Sequence, residues 1–316
     1  MGNKHLSIVI PVYNEQDSVQ ELYGKLKQLK GEYNGKIDII FVDDGSTDST
    51  GKILKDIAER DKSVSMIILN MNYGQTLALA AGIKSSIGEI IVTMDSDLQN
   101  DPMDIPKLLE GIEMGYDVVS GWRKERKDAF FSRLLPSMAA NALISFLTRI
   151  KLHDFGCTLK AYRREYVDNI SIHGEMHRFL PAYCAWQGAR IVEIVVNHHA
   201  RKYGKSKYGF GSRTFKVLLD LLVLKFILSY FTKPIYVFGG VSLVSVVLGI
   251  LSGAAAVISK LYLTSKLIVL LSYTSVLLIF LGIICFLMGL LAEVLVRLYF
   301  EVRKQPIYRI REKINI

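Results

Sequence analysis

Two stretches of this 316-residue chain, Ile235–Ser259 and Leu267–Ala292, contain no Asp, Glu, Lys or Arg. Each exceeds the roughly 20 residues that a helix needs to cross a bilayer core. Two buried core helices are the competing reading, but core helices rarely run that long without a charge. The pattern predicts a polar N-terminal region followed by two membrane spans. Hydrophobic residues make up 50% of the chain and the mean hydropathy is +0.27, which excludes intrinsic disorder.

Charge sets the expected orientation. Lys+Arg number 39 against 30 Asp+Glu, a net charge of +9. Lys216, Lys225 and Lys233 precede the first span, and Arg297, Arg303, Lys304, Arg309, Arg311 and Lys313 follow the second. The positive-inside rule then puts the polar region and both termini on the cytoplasmic side of the cell membrane, with a short external loop at 260–266. Leu6–Val12 is too short for a signal peptide and lacks a small-residue cleavage site, so none is expected. Cys157, Cys184 and Cys285 show no paired or CxxC spacing, so neither a disulfide framework nor a zinc site is indicated.

Ahead of the spans, apolar β-branched runs alternate with helix-period segments. Leu6–Val12, Lys36–Val42, Val64–Leu69, Glu89–Met94 and Tyr116–Ser120 read as strands. Helices are expected from about Asp17 to Lys30, through about Arg60, over Thr76–Ser86 and after Pro102. This alternation predicts an α/β fold with a mostly parallel sheet covered on both faces. Phe130–Ile150 and Arg213–Phe231 are apolar with sparse basic residues. The first can belong to the core and the second to a longer span; their position beside the spans favours amphipathic helices in the membrane surface.

Ligands of such sheets lie at the carboxyl ends of the strands, where Asp43, Asp44, Asp95 and Asp97 fall. Crowded carboxylates repel one another unless a cation or several donors hold them. Asp95-Ser96-Asp97 has the spacing to share a hard ion, Mg²⁺ or Mn²⁺, with the oxygens of a bound phosphate. Asp43 or Asp44 can accept hydrogen bonds from a base or ribose; the plainer reading of Asp44-Gly45-Ser46 is a turn and helix cap. Arg123, Arg126 and Arg133 lie just before or within the first apolar helix. Bidentate arginines match phosphate oxygens, although attraction to anionic lipid explains them too. Arg123 follows a strand end, which favours the ligand edge of the sheet. The histidines show no ligand spacing with carboxylates and are read as structural.

Together, Ile8-Val9-Ile10-Pro11-Val12-Tyr13-Asn14-Glu15, Val42-Asp43-Asp44-Gly45-Ser46-Thr47-Asp48 and Met94-Asp95-Ser96-Asp97-Leu98-Gln99 resemble family 2 glycosyltransferases of the GT-A fold. Asn72-Tyr73-Gly74-Gln75, Leu98-Gln99-Asn100-Asp101-Pro102 and the segment from Asp154 to Arg164 are similar to polyprenyl-phosphate glycosyltransferases. Dolichol-phosphate mannose synthases and the bactoprenol glucosyl- and aminoarabinose transferases belong to that group, and the likeness extends over essentially the whole chain.

The resemblance implies a nucleotide-sugar pocket at Pro11, Tyr13, Glu15 and Asp43, with Asp44 nearby. It implies that Asp95, Asp97 and Gln99 hold the metal and diphosphate, and that Arg123, Arg133 and Ser137 meet the lipid phosphate. Arg201 is expected to close over the diphosphate. Asp154 is expected to orient an acceptor-side cation or to act as a base. Many members carry Gly-Xaa-Phe-Arg after the Asp154 position, where this chain has Cys157-Thr158-Leu159-Lys160.

The expected organisation is a cytoplasmic GT-A domain over 1–211 and a juxtamembrane helix over 212–233. The two spans follow over 234–293, with a basic tail over 294–316. The implied reaction moves one sugar from a UDP- or GDP-sugar to a polyprenyl phosphate, inverting the anomeric carbon, for cell-envelope glycan synthesis. Its partners are the donor, the lipid acceptor and membrane lipids, with no nucleic acid. A processive polysaccharide synthase is disfavoured because neither Gln-Xaa-Xaa-Arg-Trp nor further spans are present. A non-catalytic membrane scaffold is disfavoured by the intact Asp43, Asp95, Asp97 and Gln99. Contact between copies of the chain is expected through Gly239-Gly240 and Gly249/Gly253.

Overall fold

The computed structural model describes residues 4–124, 145, 150–168, 176–200, 202–203, 235–262, 265–302 and 308–316. The segments expected to lie in the membrane surface, 130–150 and 213–231, fall almost wholly outside them. The chain forms two units: Met1–Leu221 with Pro306–Ile316, and Leu222–Gln305.

The first unit starts with the apolar run expected to form a strand, β1 (Leu6–Val12), all seven residues of which are buried. It continues through α1 (Val19–Glu32), β2 (Ile37–Asp43), α2 (Thr50–Arg60), β3 (Val64–Leu69), α3 (Gln75–Ser85), β4 (Ile90–Thr93), α4 (Ile105–Glu113) and β5 (Val118–Trp122). Side chains alternate across a strand, so β1 feeds two cores. Leu6, Ile8 and Ile10 pack with Leu22, Leu26 and Leu108 on one face, whereas Val9 packs with Ala78, Leu79 and Ala81 of α3 on the other. Helix α3 lies so close to the sheet that a methyl group on Gly82 would run into Val9.

Three further strands complete the sheet among the described residues. They are β6 (Lys160–Arg163), β7 (Ile191–Val195) and β8 (Ile310–Ile314), with a short helix α5 (Leu180–Trp186) between the first two. The order is β7-β5-β6-β4-β1-β2-β3-β8. β6 runs antiparallel between β5 and β4, and β8 runs antiparallel to β3; the other pairs are parallel. The sheet is therefore mixed and mostly parallel, as expected.

The second unit contains α6 (Ile235–Tyr262) and α7 (Ser265–Val302). Val237–Ser259 and Ile268–Leu295 are long and apolar enough to cross a membrane. Buried core helices would hide these side chains, yet Leu243, Val257, Val276 and Phe280 are each at least 58% exposed. The helices meet through small and hydroxylated residues: Ser252 Oγ lies 2.8 Å from Thr274 Oγ1, and Ser275 Oγ donates to Gly249 O at 2.7 Å. A Cβ on Gly249 would sit 2.7 Å from Ile279, and one on Gly253 2.9 Å from Ser275 Oγ. Gly249 and Gly253, read from sequence as a contact between copies, thus face the other helix of the same chain.

Two boundaries differ from expectation. Within the expected loop at 260–266, the described residues 260–262 and 265–266 are helical. The expected basic tail, 294–316, is helical to Val302 and ends as strand β8. Asn315 pins that strand, its amide donating to Ala58 O at 2.6 Å and Val64 O at 2.8 Å.

Candidate active site

The carboxyl ends of β1, β2, β4 and β5 carry most of the predicted site. Val12 pairs with Asp43, so Tyr13 and Glu15 leave β1 beside the Asp43-Asp44 turn. Asn14 has φ +50° and Leu98 φ +62°, a left-handed backbone that non-glycine residues adopt at a cost. Both bends occur where the chain turns at a group of site residues. Asn14 is held by Thr47, whose N–H donates to Asn14 Oδ1 at 2.8 Å. Leu98, 5% exposed, anchors the turn between Asp97 and Gln99 in the core.

The paired aspartates of β2 divide their work. Asp43 accepts from Ser46 N at 2.9 Å, and the start of α2 packs against it, with a Cβ on Gly51 placed 3.0 Å from its Oδ2. Asp44 accepts from Tyr73 N at 2.8 Å and Gly74 N at 2.9 Å, so it fixes the Asn72–Gln75 loop. Burial pushes the Asp44 carboxyl up to about 6 against the effect of those donors. Gly45, at φ +70°, permits the turn, since a Cβ there would press on Met71 and Asn72 backbone at 2.6–2.8 Å.

Gln75 in turn donates to Asp95 Oδ1 at 2.6 Å. The Asp95 carboxyl is raised to about 6, first by burial and then by the charge of Asp97, while Thr158, Arg123 and Arg178 oppose the rise. Asp97 is 8% exposed and accepts from Gln99 N at 3.1 Å. The departure at Cys157-Thr158 acquires a purpose here. Thr158 bonds Asp95 through its side chain, accepts from Asn100 Nδ2 at 2.9 Å and receives Thr93 Oγ1 on its carbonyl at 2.7 Å. It knits this segment to the Asp95–Asp97 strand end.

Across the sheet, Arg123 at the end of β5 makes a two-pronged ion pair with Asp154. Nε lies 2.7 Å from Oδ2 and Nη2 3.0 Å from Oδ1. The pair holds Arg123 charged despite its burial. Lys160 of β6 is 2% exposed; its ammonium donates to Phe155 O at 3.0 Å, and burial lowers its pKa to about 8. Burial likewise pushes the Cys157 thiol up to about 11, so it is no thiolate at neutral pH. Pro11, Gln75, Asp95, Cys157, Lys160 and Arg178 line a cleft beneath the strand ends.

Asp43, Asp95, Asp97, Gln99, Arg123 and Asp154 therefore occupy one edge of one sheet. Arg133, Ser137 and Arg201 lie outside the described residues. Before position 201, His199 N donates to Gln99 O at 2.9 Å, and after it Lys202 Nζ donates to Glu21 of α1 at 2.7 Å. Sequence reasoning missed Thr158, Lys160 and Glu193. Glu193, on β7, accepts from the backbone N–H of both His153 and Asp154. Lys160 opens a short strand that itself carries two charges, Lys160 and Arg163, so no sequence pattern set it apart.

The oxygen donors of Asp95, Asp97 and Gln99 suit a hard divalent cation, which takes one or two carboxylates and completes its shell with phosphate oxygens. Among the described residues no group of three or more His, Cys, Asp or Glu could hold such an ion by itself. Two carboxylates with a diphosphate fit that pattern.

Residues 7–171 match the family described as Glycosyl transferase family 2. The chain is 40% identical to a dodecaprenyl-phosphate galacturonate synthase of Rhizobium johnstonii, over 97% of this chain and 92% of that one. It is 36% identical to an undecaprenyl-phosphate 4-deoxy-4-formamido-L-arabinose transferase of Proteus mirabilis, over 98% and 94% of the two chains. Among solved structures, glucosyl-3-phosphoglycerate synthase of Mycobacterium tuberculosis, in complex with Mn²⁺, UDP and phosphoglyceric acid, superposes with a TM-score of 0.56 at 18% identity. That match covers 70% of this chain and 78% of the other, and shows the shared GT-A fold.

Proposed function

This chain belongs to glycosyl transferase family 2, and we propose that it moves one sugar from a nucleotide-sugar donor to a polyprenyl phosphate at the cytoplasmic face of the cell membrane. One observation carries the reading: a fixed cation, Arg123, stands at the same sheet edge as the acidic Asp95-Ser96-Asp97 end. An acidic end with a metal suits the donor diphosphate, and a forked arginine suits an anionic acceptor. The two relatives matched over nearly the full chain are named for transfer to dodecaprenyl and undecaprenyl phosphate.

The connectivity supports a membrane hairpin. Strand β8 follows the second apolar helix and pairs with β3, which precedes the first. Two segments of one sheet lie on one side of a membrane, so two crossings return the chain to its starting side. Lysine and arginine beside both spans then favour the cytoplasmic side. On this reading the domain over 1–211 is catalytic and shares its sheet with the end of the 294–316 segment.

Pro11, Tyr13, Glu15 and Asp43 form the nucleotide side of the pocket, while Asp44 shapes it through the Tyr73-Gly74 loop. Asp95, Asp97 and Gln99 would hold Mg²⁺ or Mn²⁺, which when bound neutralises charge on the departing diphosphate. An oxygen of the acceptor phosphate attacks the anomeric carbon from the face opposite the leaving group. The C–O bond to the diphosphate breaks with its electron pair, and the centre inverts. The acceptor oxygen is already ionised, so no base is required. Asp154 is engaged on both oxygens by Arg123, which favours the orienting role over the basic one. Arg123, Arg133 and Ser137 grip the acceptor phosphate and Arg201 covers the donor diphosphate, so rate derives from positioning and charge.

The test uses the full-length protein in detergent with Mn²⁺ and undecaprenyl phosphate, against UDP- and GDP-sugars that include a uronate and a 4-formamido-arabinose. Lipid-linked sugar, formed once per acceptor and abolished by EDTA, supports the proposal. Polymer formation supports a processive synthase, and nucleotide binding without any transfer supports a scaffold.

A further inference from the structure

We infer that Glu193, on the edge strand β7, is a positioning residue for Arg123 that acts through the backbone of residues 153 and 154. The inference rests on the reading of Arg123 as a group that binds the acceptor phosphate. Glu193 Oε1 accepts from His153 N at 2.8 Å and from Asp154 N at 2.9 Å. Oε2 lies 2.8 Å from His153 N and 2.8 Å from His153 Nδ1. The Glu193 side chain is 8% exposed, and a carboxylate so placed is tolerable only when its oxygens are occupied.

The consequence is geometric. The amide captured by Glu193 belongs to the residue whose carboxylate forks onto Arg123. Asp154 is tied further by Gly156 N at 3.1 Å to Oδ1. The backbone of Glu193 simultaneously pairs with Ser120, three residues before Arg123, and Val196 N donates to Trp122 O at 3.0 Å. Strand β7 therefore holds both partners of the ion pair, the arginine through its ladder with β5 and the aspartate through the Glu193 side chain. The His153 ring stacks on Trp122 with centroids 4.4 Å apart, a further tie between this turn and β5. Loss of the Glu193 carboxylate leaves the ladder intact and frees the 153–154 backbone, so Asp154 no longer sets the direction of the guanidinium.

The experiment compares Glu193→Ala, Glu193→Gln and Arg123→Gln in the full-length enzyme, reading KM for polyprenyl phosphate and for the nucleotide sugar separately, together with the melting temperature. Glu193→Ala is expected to raise the acceptor KM about tenfold and leave the donor KM within about twofold. Glu193→Gln keeps one acceptor oxygen for the two N–H groups and is expected to recover most of the loss. Adding Glu193→Ala to Arg123→Gln is expected to change the acceptor KM little further, because both act through one guanidinium. If Glu193→Ala fails to fold, Glu193→Asp supplies the same comparison with a displaced carboxylate. A raised acceptor KM in Arg123→Gln with none in the Glu193 variants overturns this inference alone. Equal rises in both KM values with a lowered melting temperature also overturn it, as a structural role. An unchanged acceptor KM in Arg123→Gln overturns the acceptor-site reading and this inference with it.

Discussion

Arg123 and Asp154, thirty-one residues apart in sequence, face each other as a two-pronged pair with N–O distances of 2.7 and 3.0 Å. Their side chains are 13% and 4% exposed. Breaking such a pair from one side leaves a buried charge uncompensated and costs about 3–5 kcal/mol. Asp154→Ala is expected to lower the melting temperature and the acceptor affinity together. Arg123→Lys keeps the charge but not the fork, so it is expected to weaken acceptor use with less loss of stability. Thermal unfolding beside acceptor titrations checks both.

Asp97→Ala is expected to reduce turnover by about 10²–10³ while the fold persists, because it removes a charge at the strand end and no apolar packing. Circular dichroism and the rate at saturating Mn²⁺ make the comparison. Normal turnover by the variant in EDTA contradicts the metal assignment.

Lys160 predicts a pH dependence of definite sign. Its folded pKa, about 8, lies below the ordinary lysine value, so between pH 8 and about 10 the unfolded chain binds more protons than the folded one. Stability from this group therefore rises with pH across that window and is weakest below it, by on the order of 3 kcal/mol. Lys160→Met is expected to flatten the rise relative to the parent chain in denaturation followed from pH 7.5 to about 10. An identical pH slope in the two proteins contradicts the buried ammonium.

The tail strand predicts topology. Cysteines introduced by Lys36→Cys and Ile316→Cys are expected to react with an impermeant thiol reagent from the cytoplasmic side, and one from Thr264→Cys from the opposite side. Labelling of Ile316→Cys and Thr264→Cys from the same side contradicts the hairpin. Deleting 308–316 removes β8 and the Asn315 contacts, so it is expected to destabilise the first unit rather than merely shorten a tail.

How far the sequence disclosed this molecule follows from the range of the forces involved. Strands β1 to β5 were legible because each is an apolar run closed by a turn, and burial on both faces makes such runs conspicuous. β6 and β8 were not: Lys160-Ala161-Tyr162-Arg163 and Ile310-Arg311-Glu312-Lys313-Ile314 carry charges, and only pairing with β4, β5 or β3 makes them strands. The placement of Asp43, Asp95 and Asp97 at strand ends was legible from the runs they close, as was that of Arg123 after β5. Glu193 was not, because its partners lie 39 and 40 residues away and its side chain binds backbone, which leaves no residue pattern to find.

The mass of the lipid made in a single turnover, with enzyme in excess over nucleotide sugar and polyprenyl phosphate present, separates sugar transfer from hydrolysis. The expected species equals the polyprenyl phosphate plus one sugar residue, formed about 10²–10³ more slowly by Asp97→Ala than by the parent protein. Consumption of the nucleotide sugar to free sugar or polymer, with the polyprenyl phosphate recovered unchanged, contradicts transfer to the lipid.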